Sequence, residues 1–266
     1  VNELRLHEIW IYPVKSLAGI RVNRAKVLEK GLEYDRRMML VDEQGLFITQ
    51  RNQPRLTLFR TRLENDILKI SHPSGGEVQV SMNPRSLTTE PVTIWNDVVN
   101  VSEPDTALSR WFSNLLGISC RLVFFPEAQK RPVDPNFAVQ GEQVSLADGY
   151  PYVVIGQSSL EDLNKRLPNP VTMQRFRPNF VVTGSDPYAE DEWVNVRMGS
   201  AVFKGVKNCG RCVLITVHPD TGVKGEEPLK TLTTYRRRNQ KIYFGQNLVA
   251  LQSGEISEGD ILYLDS

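Results

Sequence analysis

The stretch Asn208-Cys209-Gly210-Arg211-Cys212 holds two of the chain's three cysteines in a C-x-x-C spacing, with Lys207 in front and Arg211 directly before the second. Such a pair can form a redox disulfide, half a zinc site, a ligand to another soft metal, or ordinary core filling. A redox pair wants a helix start, where the dipole lowers the thiol pKa. Cys212 is followed by Val-Leu-Ile-Thr-Val, a strand-forming run, and then by the turn Pro219-Asp220-Thr221-Gly222. Structural zinc wants four ligands from paired clusters. Only Cys120 and three histidines remain, none of them paired, and His218 alone completes no site. The flanking cations favour thiolate, the form that binds soft metals, and they also suit an anion. Other local basic groups are Lys15 beside Ser16, Arg36-Arg37 after Asp35, and Arg175-Phe-Arg177-Pro-Asn179. Convergence of such groups on one phosphate is chemically sensible. The residues alone disfavour the redox and zinc readings without closing them, and set two others ahead: a thiolate metal site with an anion pocket, or small cysteines packed at a strand end among solvated charges.

These groups need a scaffold to position them, and the first hundred residues read mainly as strands. "LRLHEIWIYPVKS" is β-branched and aromatic up to Pro13, and "AGIRVNRAKVLEKG" alternates in part. "DRRMMLVDEQGLFIT" is two runs around the turn Asp42-Glu43-Gln44-Gly45, and "DILKISHPSGGEVQVSM" repeats the design around Ser74-Gly75-Gly76. Ala107, Leu108, Trp111, Phe112, Leu115 and Leu116 recur at helical spacing, with Asp105 or Thr106 to cap the start and Gly117 to end it. A polar connector broken by three prolines, "PEAQKRPVDPNFAVQGEQVSLADG", follows. "YPYVVIGQ" predicts a buried strand, and Ser158 or Ser159 is expected to cap the helix "SLEDLNKRL", with acids early and bases late. "RFRPNFVVTG", "VRMGSAVFKGVKN" and "ILYLDS" predict further strands. The expectation is a mainly β chain with some α (α+β), in two intimately connected lobes.

A chain of 266 residues with 40% hydrophobic content suits one large domain or two modest ones. Its net charge of +1 gives no basis for bulk nucleic-acid or acidic-membrane binding, so any basic site must be local. No apolar run approaches a spanning helix and no basic-then-apolar leader opens the sequence, so no membrane partner is expected. Three cysteines do not make a disulfide framework, and a cytoplasmic location follows as the expectation.

The sequence resembles MOSC-domain proteins of the YcbX and mitochondrial amidoxime-reducing component type. The resemblance rests on six ordered pieces: "IYPVKSLAGI", "GLEYDRRMMLVDEQGLFITQRNQPRL", "DGYPYVVIGQSSLEDLN", "RFRPNFVVTG", "NCGRCVLITVHPDTGVKGEEPLKTLTTYR" and "FGQNL". It implies an N-terminal β-barrel-like module over residues 1–120, packed on a β-barrel MOSC domain over 121–266. It also implies a molybdenum cofactor: a pterin dithiolene with one phosphate, its metal bound by one protein cysteine. The cysteine after the arginine matches that ligand, so the resemblance assigns it to Cys212 and leaves Cys209 a neighbour. Lys15, Ser16, Arg36 and Arg177 match positions that hold the pterin and its phosphate, and Gly210 and Arg211 match contacts beside the metal. Asn179 matches the pocket wall. Gly149 and Tyr150 stand where relatives often carry hydroxyl side chains, so backbone contacts are expected there. Asn247 replaces a residue that is aromatic in some relatives.

By resemblance, the implied reaction is reduction of an N-hydroxylated small molecule, such as a hydroxylaminopurine or amidoxime, to its amine. Asp148 and His218 are candidates for proton handling. YcbX-type proteins commonly carry a C-terminal 2Fe-2S module with four cysteines, and no cysteine follows Cys212, so electrons are expected from a flavoprotein reductase or ferredoxin-like donor. The alternative is a cofactor or sulfur carrier, since other MOSC proteins serve cofactor sulfuration. A true sulfurase would need a persulfide donor, usually a separate pyridoxal-phosphate domain.

Overall fold

The computed structural model of the protein describes residues 3–84 and 88–265. Strand Arg5–Ile11 buries Leu6, Ile9 and Ile11 and exposes its more polar positions, as the sequence pattern predicts. It opens a nine-stranded sheet ordered Ile20–Val22, Arg5–Ile11, Phe180–Thr183, Tyr152–Gly156, Lys241–Gln252, Ala201–Arg211, Asn195–Met198, Leu262–Asp265. Strand Arg237–Arg238 pairs beside Lys241–Gln252. Every neighbour is antiparallel except Tyr152–Gly156 and Phe180–Thr183, whose parallel pairing needs the crossover that helix α2 (Gln157–Asn164) begins. The sheet closes on itself: Leu6 donates its N–H to Asp260 O, Leu262 donates to Leu4 O, and Arg5 bridges Ile261. Tyr152, Phe180 and Phe203 fill the interior with Leu6, Val154 and Leu248. A closed sheet leaves few strand edges free to pair with other chains.

The N-terminal half adds hairpins Arg60–Glu64/Ile67–His72/Gly76–Ser81 and Glu90–Ile94/Asp97–Val101. Helix α1 (Thr106–Leu116) starts as expected, with Asp105 accepting from Ala107 N at 2.7 Å, and ends at Gly117 with φ 71°. Its Leu108, Phe112 and Leu116 pack on Phe59 and Leu122. The two halves interlock, since Arg24–Leu28 pairs with Gly254–Ser257 and Met38–Val41 with Arg121–Phe124. Among the described residues no helix is long and apolar enough to cross a membrane.

Two local expectations need correction. Helix α2 has no side-chain cap: it starts straight from the strand at Gly156, without acids in its first turn or bases in its last. Ser159 Oγ instead donates to the buried Glu190 carboxylate at 2.9 Å and accepts from Tyr188 N. The run after Cys212 is a 3₁₀ turn, Val213–Thr216, with Cys212 at its head, and not a strand. Strand pairing ends at Arg211 opposite Ile242, and Ile215 turns inward to a core with Phe176 and Phe244. Burial overrides β-propensity there.

Candidate active site

The connector between Phe125 and Pro151 has no strand or helix, yet it is firmly held. Arg131, 3% exposed, donates to the carbonyls of Ser145, Ala147 and Asp148 and pairs with Asp97 through Nε at 2.7 Å. This clamp delivers Asp148, Gly149 and Tyr150 to a cavity of about 270 Å³. Lys15 and Ser16 reach it from the turn after the first strand, Arg36 from the loop before Met38, and Arg177 and Asn179 from the loop before Phe180. Cys209, Gly210, Arg211 and Cys212 arrive at the end of the long strand, and Asn247 on its neighbour, opposite Lys207 in register. All eleven residues expected from the sequence as ligand or cofactor contacts therefore line one cavity: Lys15, Ser16, Arg36, Gly149, Tyr150, Arg177, Asn179, Gly210, Arg211, Cys212 and Asn247.

Seven basic side chains line it, those of Lys15, Arg36, Arg51, Arg177, Lys207, Arg211 and Lys241, and Asp148 is the acid among the described lining residues. A chain that is nearly neutral overall thus concentrates positive charge at one place, which favours an anionic ligand. Ser16, Arg36 and Arg177 have positive φ, at 70°, 51° and 53°. Left-handed backbone at a residue other than glycine costs about 1–2 kcal/mol, and such strain gathers at ligand clamps.

Arg36 and Arg177 both rest on the ring of Tyr12, their guanidinium carbons 4.3 and 4.2 Å from its centre. Arg36 pairs with the buried Asp35 at 2.6 Å and donates to Arg177 O, while Arg177 donates to Leu17 O. Burial lowers the Arg177 pKa to about 10, partly offset by Tyr12. Its Nη2 is buried without a partner among the described residues. Arg37 points away, to Glu127 and Asp35 O, and Arg175 lines a separate small cavity. Asn179 is a rivet in the wall, accepting from Val153 N and donating to Trp10 O. Arg211 spans Phe244 O and Phe176 O, so it braces the backbone beside Cys212.

Arg51 carries no signal of its own in the sequence, where it is one more arginine in a polar turn. It donates through Nε to Cys212 Sγ at 3.3 Å and through Nη2 to Asp148 at 2.6 Å. Lys15 Nζ contacts the other Asp148 oxygen at 2.5 Å and donates to Leu146 O. Partial desolvation in the cavity would raise the Asp148 carboxyl, but its side chain is half exposed, and the Lys15 and Arg51 cations on its two oxygens outweigh that and hold the group below the usual carboxylate range. Burial pushes Lys15 down to about 8 despite Asp148. Burial also raises the Cys209 thiol, against Arg211. The two cysteines are therefore unlike, Cys212 under a guanidinium and Cys209 held as thiol, and all three cysteines are free. His218 does not line the cavity. The 3₁₀ turn carries the chain away, and His218 sits exposed, accepting from Asp220 N at 3.2 Å.

Two family models match the chain, one described as the MOSC N-terminal beta barrel domain over residues 3–119, the other as the MOSC domain over residues 141–263. The Mitochondrial amidoxime-reducing component 1 of Mus musculus is 36% identical over 97% of this chain and 81% of its own length. The human protein of that name is 33% identical over 97% of this chain and 82% of its own. A Molybdenum cofactor sulfurase of Oryza sativa subsp. japonica is 34% identical over 98% of this chain, which covers 34% of that protein.

Proposed function

The chain belongs to the MOSC-domain family, and from that premise we propose that it is a molybdenum-cofactor-dependent reductase of N-hydroxylated compounds. Within this reading residues 1–120 form the N-terminal β-barrel-like module and 121–266 the MOSC domain, and both contribute side chains to the cofactor site. The observation that carries the proposal is the convergence of Cys212, beneath Arg51, with the strained Arg36–Arg177 pair in one cationic cavity.

The residues present fit a phosphate-bearing dithiolene group. The unpartnered donor of Arg177 suits a phosphate oxygen. A Cβ built at Gly149 or Gly210 would meet no described atom within 4 Å, so both backbones leave room for a flat ligand. Cys212 offers a soft sulfur beside a fixed cation. Lys15, Ser16, Arg36, Arg177 and Asn179 would hold the pterin end, with Gly149, Tyr150, Gly210, Arg211 and Asn247 around the metal end. When bound, the cofactor supplies the two-electron redox chemistry.

Reduction of R–NHOH to R–NH₂ takes up two electrons and two protons and releases water. The electrons come from a donor protein, a flavoprotein reductase or ferredoxin-like module. Protons must come through the protein. Asp148, held as a carboxylate, serves as an acceptor and orienting group, and not as the acid. Lys15, with a pKa pushed down to about 8, carries a proton near neutral pH and releases it readily. Free cysteines in all three positions suit a reducing compartment such as the cytoplasm.

The likeness to the rice sulfurase favours a second reading, a carrier of the cofactor or its sulfur. Purification from a host that makes the cofactor, followed by molybdenum analysis and turnover of an amidoxime with an artificial electron donor, separates the two. Metal with turnover supports the reductase. Metal without turnover, under a competent donor, supports the carrier.

A further inference from the structure

Trp95 occupies the two-residue turn between strands Glu90–Ile94 and Asp97–Val101, where Ile94 faces Asp97. Its φ is 56°, the left-handed region that turn chemistry reserves for glycine, asparagine or aspartate. A bulky residue there is an outlier, and core packing does not explain it, because Trp95 is 46% exposed. Its polar edge explains part of the placement: Nε1 donates to Asp148 Oδ1 at 3.2 Å. The guanidinium carbon of Arg51 lies 4.9 Å from the indole centre, and the Phe47 ring stands 5.0 Å away. Asp148 and Arg51 both line the cationic cavity, so the indole, itself outside the lining, packs directly against two side chains that belong to it. The exposed part of the ring is left over once these contacts are made.

We propose that Trp95 is a specificity-determining residue whose exposed indole receives a planar, conjugated substituent of the substrate beside the cavity. The inference rests on the reductase reading above, because only there does the cavity admit an N-hydroxylated substrate. The reactive N–OH enters toward Cys212 while the conjugated remainder reaches the exposed part of the indole beside Arg51 and Asp148. A saturated ring of similar size gains shape contact but no stacking.

The test uses holoenzyme and two amidoximes with the same head group, benzamidoxime and cyclohexanecarboxamidoxime, and compares wild type with Trp95→Ala and Trp95→Phe. Affinity is measured by calorimetry and KM by turnover. Wild type should prefer the planar compound, and Trp95→Ala should weaken it by about fivefold while moving the saturated one by less than about twofold. Trp95→Phe should restore most of the difference. Equal losses for both compounds in Trp95→Ala and Trp95→Phe would mean that the indole only props Asp148, and would overturn the proposal. No planar preference in wild type would overturn it too. Selective binding without turnover would sink the reductase reading and leave the stacking role standing.

Discussion

Arg51 and Cys212, 161 residues apart in sequence, meet at 3.3 Å, Nε to Sγ. The same guanidinium holds Asp148, so one side chain from the N-terminal half ties the connector loop to the head of the 3₁₀ turn. A planar fork can make both contacts at fixed angles, whereas an ammonium is a single point charge.

Arg51→Ala should therefore disable the site more than its 22% exposed side chain suggests. Each charge-assisted hydrogen bond contributes about 1.5–3 kcal/mol, so a loss of about 10–100-fold in kcat/KM is expected. Arg51→Lys should recover only a small part of it. Wild-type kcat/KM in Arg51→Ala, at full molybdenum occupancy, would show that the bridge has no functional role.

The cysteine pair should separate cleanly by metal analysis. Cys212→Ala is expected to lose molybdenum, while Cys209→Ala keeps it to within about twofold, because burial already holds Cys209 as a thiol. The reverse pattern would move the ligand to Cys209.

Legibility in the sequence followed the range of the interaction. Helix α1 was readable because its cap, its 3–4 spacing and its closing glycine all lie within one short segment. Lys15, Arg36, Arg177 and Cys212 stand out locally only as cations and a cysteine beside strand-like segments; the resemblance gives them roles, and the structure places all four on one cavity. Arg51 lies in the segment Gly31–Leu56 without a signal of its own, since its partners are fixed only by tertiary convergence. The same cause defeated the serine cap of α2, where a buried Glu190 captured the hydroxyl. It also defeated the strand after Cys212, where the pull of a core position outweighed a β-branched run.

Arg131 offers a stability test away from the chemistry. Its removal strands three backbone carbonyls and Asp97. Arg131→Ala should cost about 2–4 kcal/mol in denaturant unfolding and loosen the loop that carries Asp148. Hydrogen exchange should rise across the connector first. Unchanged stability together with unchanged exchange would show that the loop is held by other contacts.

Lys15 gives the pH dependence, with opposite signs for activity and stability. Its ammonium is present below about pH 8 and lost above, so kcat/KM should fall as pH rises through about 8. In Lys15→Arg the cation persists but no longer gives up its proton near neutrality. A proton-donor role then predicts low, flat activity, whereas a purely electrostatic role predicts high activity without the alkaline fall. For stability, burial depresses the folded pKa below the ordinary 10.5. Between about pH 8 and 10.5 the unfolded chain binds a proton that the folded chain has released. Stability should accordingly rise with pH across that window, by up to about 3 kcal/mol from this group. Denaturation midpoints compared at pH 7.5 and 10 in wild type and Lys15→Met isolate the contribution, because methionine removes the titration and keeps the buried stem. An equal pH response in both proteins would remove Lys15 as its source.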